Sequence, residues 1–148
     1  LSTLVGHLLA LGMMVVAVGV WQNRISVFLI FLPVYMFVTG LLAVGLGWIA
    51  ASLHVFLRDT AQVVSVVLTS WLYLTPIFIP EDRYPAWAHW VLVANPLYYL
   101  VRAYRTVLLT SGMPDLRDLV IAAAYGAAAF VVGGLFFRHM KRGFADVL

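Results

Sequence analysis

The sequence predicts an all-α protein: a polytopic transmembrane helix bundle of four spans, with a re-entrant pair of short helices between the last two. Three observations carry that prediction. Hydrophobic residues make up 64% of the 148-residue chain and charged residues 10%, whereas soluble domains run about 45–50% apolar and about 25% charged; mean hydropathy is +1.02. Four apolar stretches have the roughly 20-residue length that crosses a hydrocarbon core of about 30 Å. The stretch "WVLVANPLYYLVRAYRTVLL", residues 90–109, is equally apolar but holds Asn95-Pro96 and two arginines, Arg102 and Arg105.

The first span is placed at residues 4–21, closed by Trp21-Gln22-Asn23-Arg24, an aromatic and polar boundary suited to an interface. The chain opens "LSTLVGHLL", with no Met, basic leader or small-residue cleavage site. It is therefore read as the later part of a longer protein and not as a signal peptide. The second span lies in the run 25–57, too long for one upright helix. Pro33 near its start and the polar turns of "ASLHVFLRD" place it at 28–53, overshooting into water. The third is placed at 61–79, ending at the breakers Pro76 and Pro80, and the fourth at 119–137, before the basic end "RHMKRGFADVL".

Between the third and fourth spans the chain starts polar ("PEDRYP"), turns aromatic, breaks at Asn95-Pro96 and ends at "TSGMPD". Pro96 removes a backbone donor and pushes Asn95 out of helical geometry. Two helices of about ten residues are expected within 85–110, each too short to cross, so a re-entrant hairpin follows. Broken backbone survives at membrane depth only when packed in protein or lining a wet cavity. Small residues recur at Thr39, Ala43, Gly47 and Ala51, and as Ala122-x-x-x-Gly126 and Ala129-x-x-x-Gly133, spacings that serve bundle packing or a dimer seam. With no internal repeat or low-complexity linker, residues 1–148 read as a single transmembrane domain.

Composition excludes several chemistries. The net charge of +3 comes from scattered groups with no basic tract for nucleic acid. The absence of cysteine removes disulfides, thiol catalysis and Cys-ligated metal. His7, His54, His89 and His139 form no metal-binding pattern, and no G-x-x-x-x-G-K-[ST] loop is present to hold ATP. No Gly-x-Ser-x-Gly elbow occurs, and no catalytic or metal-ligating residue is assigned.

Two polar sets stand out. His54, Arg58, Asp59 and Gln62 follow the overshooting second span; Arg58 and Asp59 are adjacent and cannot pair on one helix face, so they cap a turn, meet a partner or form a solvated loop. Arg102 and Arg105 are three apart, on one face, and either face a cavity or partner or snorkel to the interface. Aromatics crowd the same region: Trp71, Tyr73, Tyr84, Trp87, Trp90, Tyr98, Tyr99 and Tyr104. They fit an interfacial belt or the stacking of sugar rings. Arg58, Arg138, Lys141 and Arg142 fall on one side, and Arg24, Arg83, Arg102, Arg105 and Arg117 on the other, so charge asymmetry alone does not orient the chain.

The order of these features resembles the C-terminal half of ABC-2-type permeases, in the subgroup exporting O-antigen, capsular polysaccharide or teichoic acid. The pieces are "FLRDTAQVVSVVLTSWLYLTPIFIPEDRYP", "NPLYYLVRAYRTVLL" and "FRHMKRGFADVL"; each is weak alone, and their order is what is specific. The resemblance implies six spans, of which this chain holds the third to sixth. An interfacial helix, two spans and the first coupling helix would precede it. It further implies a homodimeric pore and two copies of a separate nucleotide-binding subunit carrying ATP and Mg. It places Arg58 and the C-terminus in the cytoplasm and the broken stretch outside, as extracytoplasmic gate helices bearing Asn95, Pro96, Tyr98, Tyr99, Arg102 and Arg105. His54, Arg58, Asp59 and Gln62 are then expected to couple to the ATPase, and Trp71, Tyr73, Trp87 and Trp90 to line a glycan path.

The expected function is a multi-pass permease subunit, not an enzyme, of an ATP-driven exporter of lipid-linked polysaccharide (O-antigen of lipopolysaccharide, for example) across the bacterial cytoplasmic, or inner, membrane. Its partners would be the ATPase, a second permease copy, the glycan and membrane lipid. The alternatives are an ABC-2 exporter of drugs or lipids, and an intramembrane enzyme using His89 or the arginines, with Glu81 and Asp82 as acid–base candidates.

Overall fold

The computed structural model describes residues 2–22, 27–78, 81–110, 112–141 and 143, with the side chains of 2–4, 7, 8, 22 and 82 outside that description. Asn23 and Arg24, Pro80, Ser111, Arg142 and the Phe-Ala-Asp terminus at 144–146 also lie outside the described residues. Among the described residues every regular element is helical. In chain order these are α1 (Ser2–Gln22), a 3-10 turn (Val27–Phe31), α2 (Leu32–Phe56), α3 (Thr60–Leu74), two 3-10 turns (Glu81–Arg83 and Ala86–Ala88), α4 (His89–Ala94), α5 (Pro96–Leu108) and α6 (Leu116–Met140).

Among the described residues two segments are long and apolar enough to cross a membrane: Val27–Phe56, with 30 residues, and Leu116–Met140, with 25. Helix α1 has 21 residues, and Thr60–Leu74 is a shorter apolar helix. At 1.5 Å per residue α3 reaches only about 22 Å, against a core of about 30 Å. The helix of the third expected span stops at Leu74, not at residue 79. Thr75 is extended (φ −93°, ψ 138°), the geometry forced on a residue that precedes proline. Pro33 sits in the first turn of α2, where its missing N–H costs no helical bond. The helix runs on to Phe56, past the expected limit at 53.

Helices α2 and α6 run parallel and form the most extensive contact among the described residues. The seam is glycine-made. A Cβ on Gly45 would overlap the carbonyl of Ala129, and one on Gly133 the carbonyl of Gly45, while a Cβ on Gly126 would stand 3.0 Å from the Val38 carbonyl oxygen. Backbones this close gain dense van der Waals contact, the main adhesion between helices in lipid. Trp48 closes the seam, its ring 4.9 Å from that of Phe130. The small-residue pattern on α6 therefore packs as expected, but the one on α2 does not. Ala43, Gly47 and Ala51 are exposed, and Tyr35, Val38, Leu42, Gly45 and Ser52 are buried instead. Gly45 and Gly47 lie two residues, about 200°, apart around a helix, so only one of them can face α6.

The remaining core sits at one end, where α5 lies across α2 and α6. Tyr98, Tyr99, Leu100 and Ala103 pack with Tyr35, Val38 and Ala122, and Val107 and Leu108 with Leu32. The hairpin breaks where expected but unequally: α4 has 6 residues and α5 has 13, in place of two helices of similar length. The N–H of Asn95 closes the last turn of α4 by bonding Leu92, and Pro96 starts α5 at the position where proline is pre-organised for a helix.

Candidate functional site

The hairpin is fixed to the rest of the chain by polar contacts, beginning at its break. Asn95 is buried and extended (φ −90°, ψ 116°), and its side-chain oxygen accepts the Leu97 N–H, capping α5. The same oxygen accepts the Trp71 indole N–H at 2.8 Å. The Asn95 amide nitrogen donates to the Thr75 hydroxyl at 2.9 Å, which itself donates to the Trp71 carbonyl at 2.8 Å. One asparagine thus ties the hairpin break to the last turn of α3 and the bend after it. Trp71, assigned from sequence to a glycan path, has its polar edge turned inward to this knot.

The two arginines diverge. Arg102 Nε lies 3.5 Å from Asp118 in the first turn of α6, with the arginine side chain 47% exposed and the carboxylate 8%. Arg105 donates to the carbonyl of Ile77 in the bend after α3. Tyr98 donates to Glu81 at 2.7 Å, and Arg102 Nη1 approaches the Tyr98 hydroxyl at 3.5 Å. Burial and then the bond to Glu81 push the Tyr98 phenol up, keeping it a donor. Burial works against the charge on Arg102, but Asp118, Tyr98 and Glu81 outweigh it and raise its pKa. Tyr99 donates to the Val93 carbonyl across the break.

Two clefts flank this row of side chains. One, about 340 Å³, is lined by residues that include His89, Arg102, Asp115, Arg117 and Asp118. The other, about 460 Å³, includes Pro76, Glu81, Val101, Arg102, Arg105 and Leu109. Asp118 and Thr75 were not singled out in the sequence, although a carboxylate immediately ahead of the fourth apolar span and a threonine ahead of a proline were visible there. Of the four aromatics assigned from sequence to a glycan path, Tyr73 (69%), Trp87 (72%) and Trp90 (71%) are exposed.

At the opposite end, His54, Arg58, Asp59 and Gln62 are all exposed around the α2–α3 turn. Thr60 holds the turn by donating to the Leu57 carbonyl at 2.6 Å, and Arg58 and Asp59 form no ion pair with each other among the described residues. A cleft of about 350 Å³ opens there between Phe56, Arg58, Asp59 and Val63. Among the described residues no group of three His, Cys, Asp or Glu side chains could hold a metal ion.

Helix α3 carries a feature the sequence reading missed. Thr60, Val64 and Trp71 are its less exposed positions, on one face. Gln62, Ser65, Thr69 and Tyr73 form an exposed stripe on the other, at helical spacing. The i, i+3, i+4 rhythm of these polar residues within an apolar stretch was the available signal.

The sequence profile of a family described as "ABC-2 type transporter" matches residues 1–109. A protein of Myxococcus xanthus named "O-antigen export system permease protein RfbA" is 26% identical over 143 residues, 94% of this chain and 52% of the relative. A Klebsiella pneumoniae protein of the same name is 28% identical over 104 residues, 70% of this chain and 40% of the relative. The chain thus spans about half or less of the length of these relatives. No solved structure matches it.

Proposed function

Since the chain belongs to the ABC-2 type transporter family, we propose that it is permease sequence of an exporter that moves lipid-linked polysaccharide across the bacterial cytoplasmic membrane, driven by ATP hydrolysis on a separate subunit. In this reading four segments cross the membrane, near 4–21, 28–53, 61–79 and 119–137, and residues 85–110 dip in from outside. Two permease copies and two ATPase subunits assemble, and the ATPase subunits hold ATP and Mg.

The observation that carries the reading is the stripe of Gln62, Ser65, Thr69 and Tyr73, exposed on one face of a mostly apolar helix. Hydrocarbon is a poor neighbour for such a row, because polar side chains in spans face a cavity or a partner. A path for a polar polymer, formed against a second copy, meets that requirement. The aromatic ring and hydroxyl of Tyr73 suit a sugar face and its edge. The names of the relatives supply the substrate class. Function here rests on shape and on packing with two arrangements, with no covalent step on this chain.

The test uses the full-length protein in cells lacking their own copy of the exporter. Tyr73→Leu and Thr69→Val together keep the face apolar and remove the ring and both hydroxyls. Surface polysaccharide should fall while ATP hydrolysis by the purified complex persists. Normal surface polymer in the doubly substituted strain would remove the stripe from the path and with it this reading.

A further inference from the structure

The 460 Å³ cleft beside α5 has a composition that the export reading does not use. Pro76, Val101 and Leu109 give it apolar walls, and Arg102, Arg105 and Glu81 place two guanidinium groups and a carboxylate in the same space. Its depth follows from Arg102, which reaches Asp118 in the first turn of α6. Where a spanning helix begins, lipid headgroups are the surrounding medium.

Each guanidinium is tethered with donors to spare. Arg105 is held by the Ile77 carbonyl, and Arg102 by Asp118 and, more loosely, by Tyr98. Arginine carries five N–H donors in a planar fork, a shape that matches phosphate oxygens two at a time. Phosphate alone would be a poor occupant, because Glu81 is exposed on the same cleft and would repel it. That carboxylate is linked to Arg102 through the Tyr98 hydroxyl, with one 2.7 Å and one 3.5 Å contact, so the opposite charges stand one small headgroup apart.

We propose that this cleft binds an aminophospholipid of the membrane: its phosphate diester against Arg102 and Arg105, its primary ammonium against Glu81, and an acyl chain along Pro76, Val101 and Leu109. The isoprenoid phosphate of a lipid-linked glycan shares the phosphate and the tail but lacks the ammonium, and the two sources separate on that group. The inference does not depend on what the protein exports, because lipid binding is read without transport.

The experiment is native mass spectrometry of the purified full-length permease with its partner subunit. Phosphatidylethanolamine, phosphatidylcholine, phosphatidylglycerol and undecaprenyl phosphate are titrated separately. Phosphatidylethanolamine should bind about tenfold tighter than the other three. Glu81→Gln should bring it down to the level of phosphatidylcholine, whose quaternary head offers no N–H. Arg105→Gln should weaken all the phospholipids by about tenfold. If Arg105→Gln fails to fold for want of its bond to Ile77, the exposed Glu81→Gln still decides. A preference for phosphatidylethanolamine that survives Glu81→Gln overturns the proposal, and so does tighter binding of undecaprenyl phosphate.

Discussion

Asn95→Ala is the substitution that most directly tests how the hairpin is held. Three hydrogen bonds disappear with its side chain: those from the Trp71 indole, from the Leu97 N–H and to the Thr75 hydroxyl. Loss of an N-cap costs about 1 kcal/mol, and a buried donor left unsatisfied costs about 1–3 kcal/mol. The Thr75 hydroxyl keeps its bond to the Trp71 carbonyl and loses little. The expected total is about 2–4 kcal/mol. Trp71→Phe removes one donor and leaves the cap intact, so it should cost about 1 kcal/mol. Thermal unfolding of the purified full-length complex in detergent gives the order, and surface polymer gives the consequence for export. Asn95→Ala should be the more damaging in both. If it melts within experimental error of the wild type, or if Trp71→Phe is the worse of the two, Asn95 is not what fastens the hairpin to α3.

Further substitutions address the other elements. Gly133→Ala drives a Cβ into the Gly45 backbone and should destabilise by about 1–3 kcal/mol or more, whereas Gly47→Ala, with nothing within 4 Å, should be neutral; the reverse order in thermal melts would put the seam on the other face of α2. Arg58→Glu should abolish export at normal membrane levels if the α2–α3 turn meets the ATPase, and normal export would remove that role. The chain has no cysteine, so single cysteines at Arg83, Met113 and Lys141 can be probed with an impermeant thiol reagent in cells whose outer membrane, if present, is permeabilised. The first two should label and the third should not. Labelling of 83 and 113 from opposite sides would make the hairpin a fifth span.

The features legible in the sequence were those fixed by local backbone chemistry. Asn95-Pro96 had to break a helix because proline restricts its own residue and the one before. The same rule ended the helix α3 at Leu74, ahead of Pro76, while the apolar sequence runs on past it. What failed was phase. The four-residue rhythm of small residues, Thr39 to Ala51, marks one side of α2, while Gly45 stands on the other among Val38, Leu42 and Ser52, and nothing within one helix says which side meets α6. Only the neighbour chooses Gly45 over Gly47. Long-range partners were hidden for the same reason: Arg102 and Asp118 are separated by the end of α5 and a loop, and Trp71 and Asn95 by 24 residues. The spacing of Arg102 and Arg105 placed them on one face, yet a 60° offset was enough to send one to α6 and the other to Ile77.

The distribution of contacts suggests how motion could travel. Glycine locks α2 to α6, and dense seams of this kind resist small deformations. Helix α3 is joined to α2 by the Leu57–Thr60 turn and, among the described residues, makes no extensive contact with α6. Its far end holds the hairpin through Trp71, Thr75 and the Ile77 carbonyl. A push at the α2–α3 turn would therefore tilt α3 against a fixed pair and draw α5 with it. If the turn and the knot act in series, Arg58→Glu and Asn95→Ala are not independent, because breaking either one already uncouples the hairpin. The doubly substituted complex should then export no less than the worse single variant, the non-additivity expected of residues on one coupled element. Independent sites would instead multiply their losses. Partially active pairs, such as Arg58→Gln with Asn95→Asp, keep the cycle within measurable range. Multiplied losses in that cycle would show that α3 does not carry the signal.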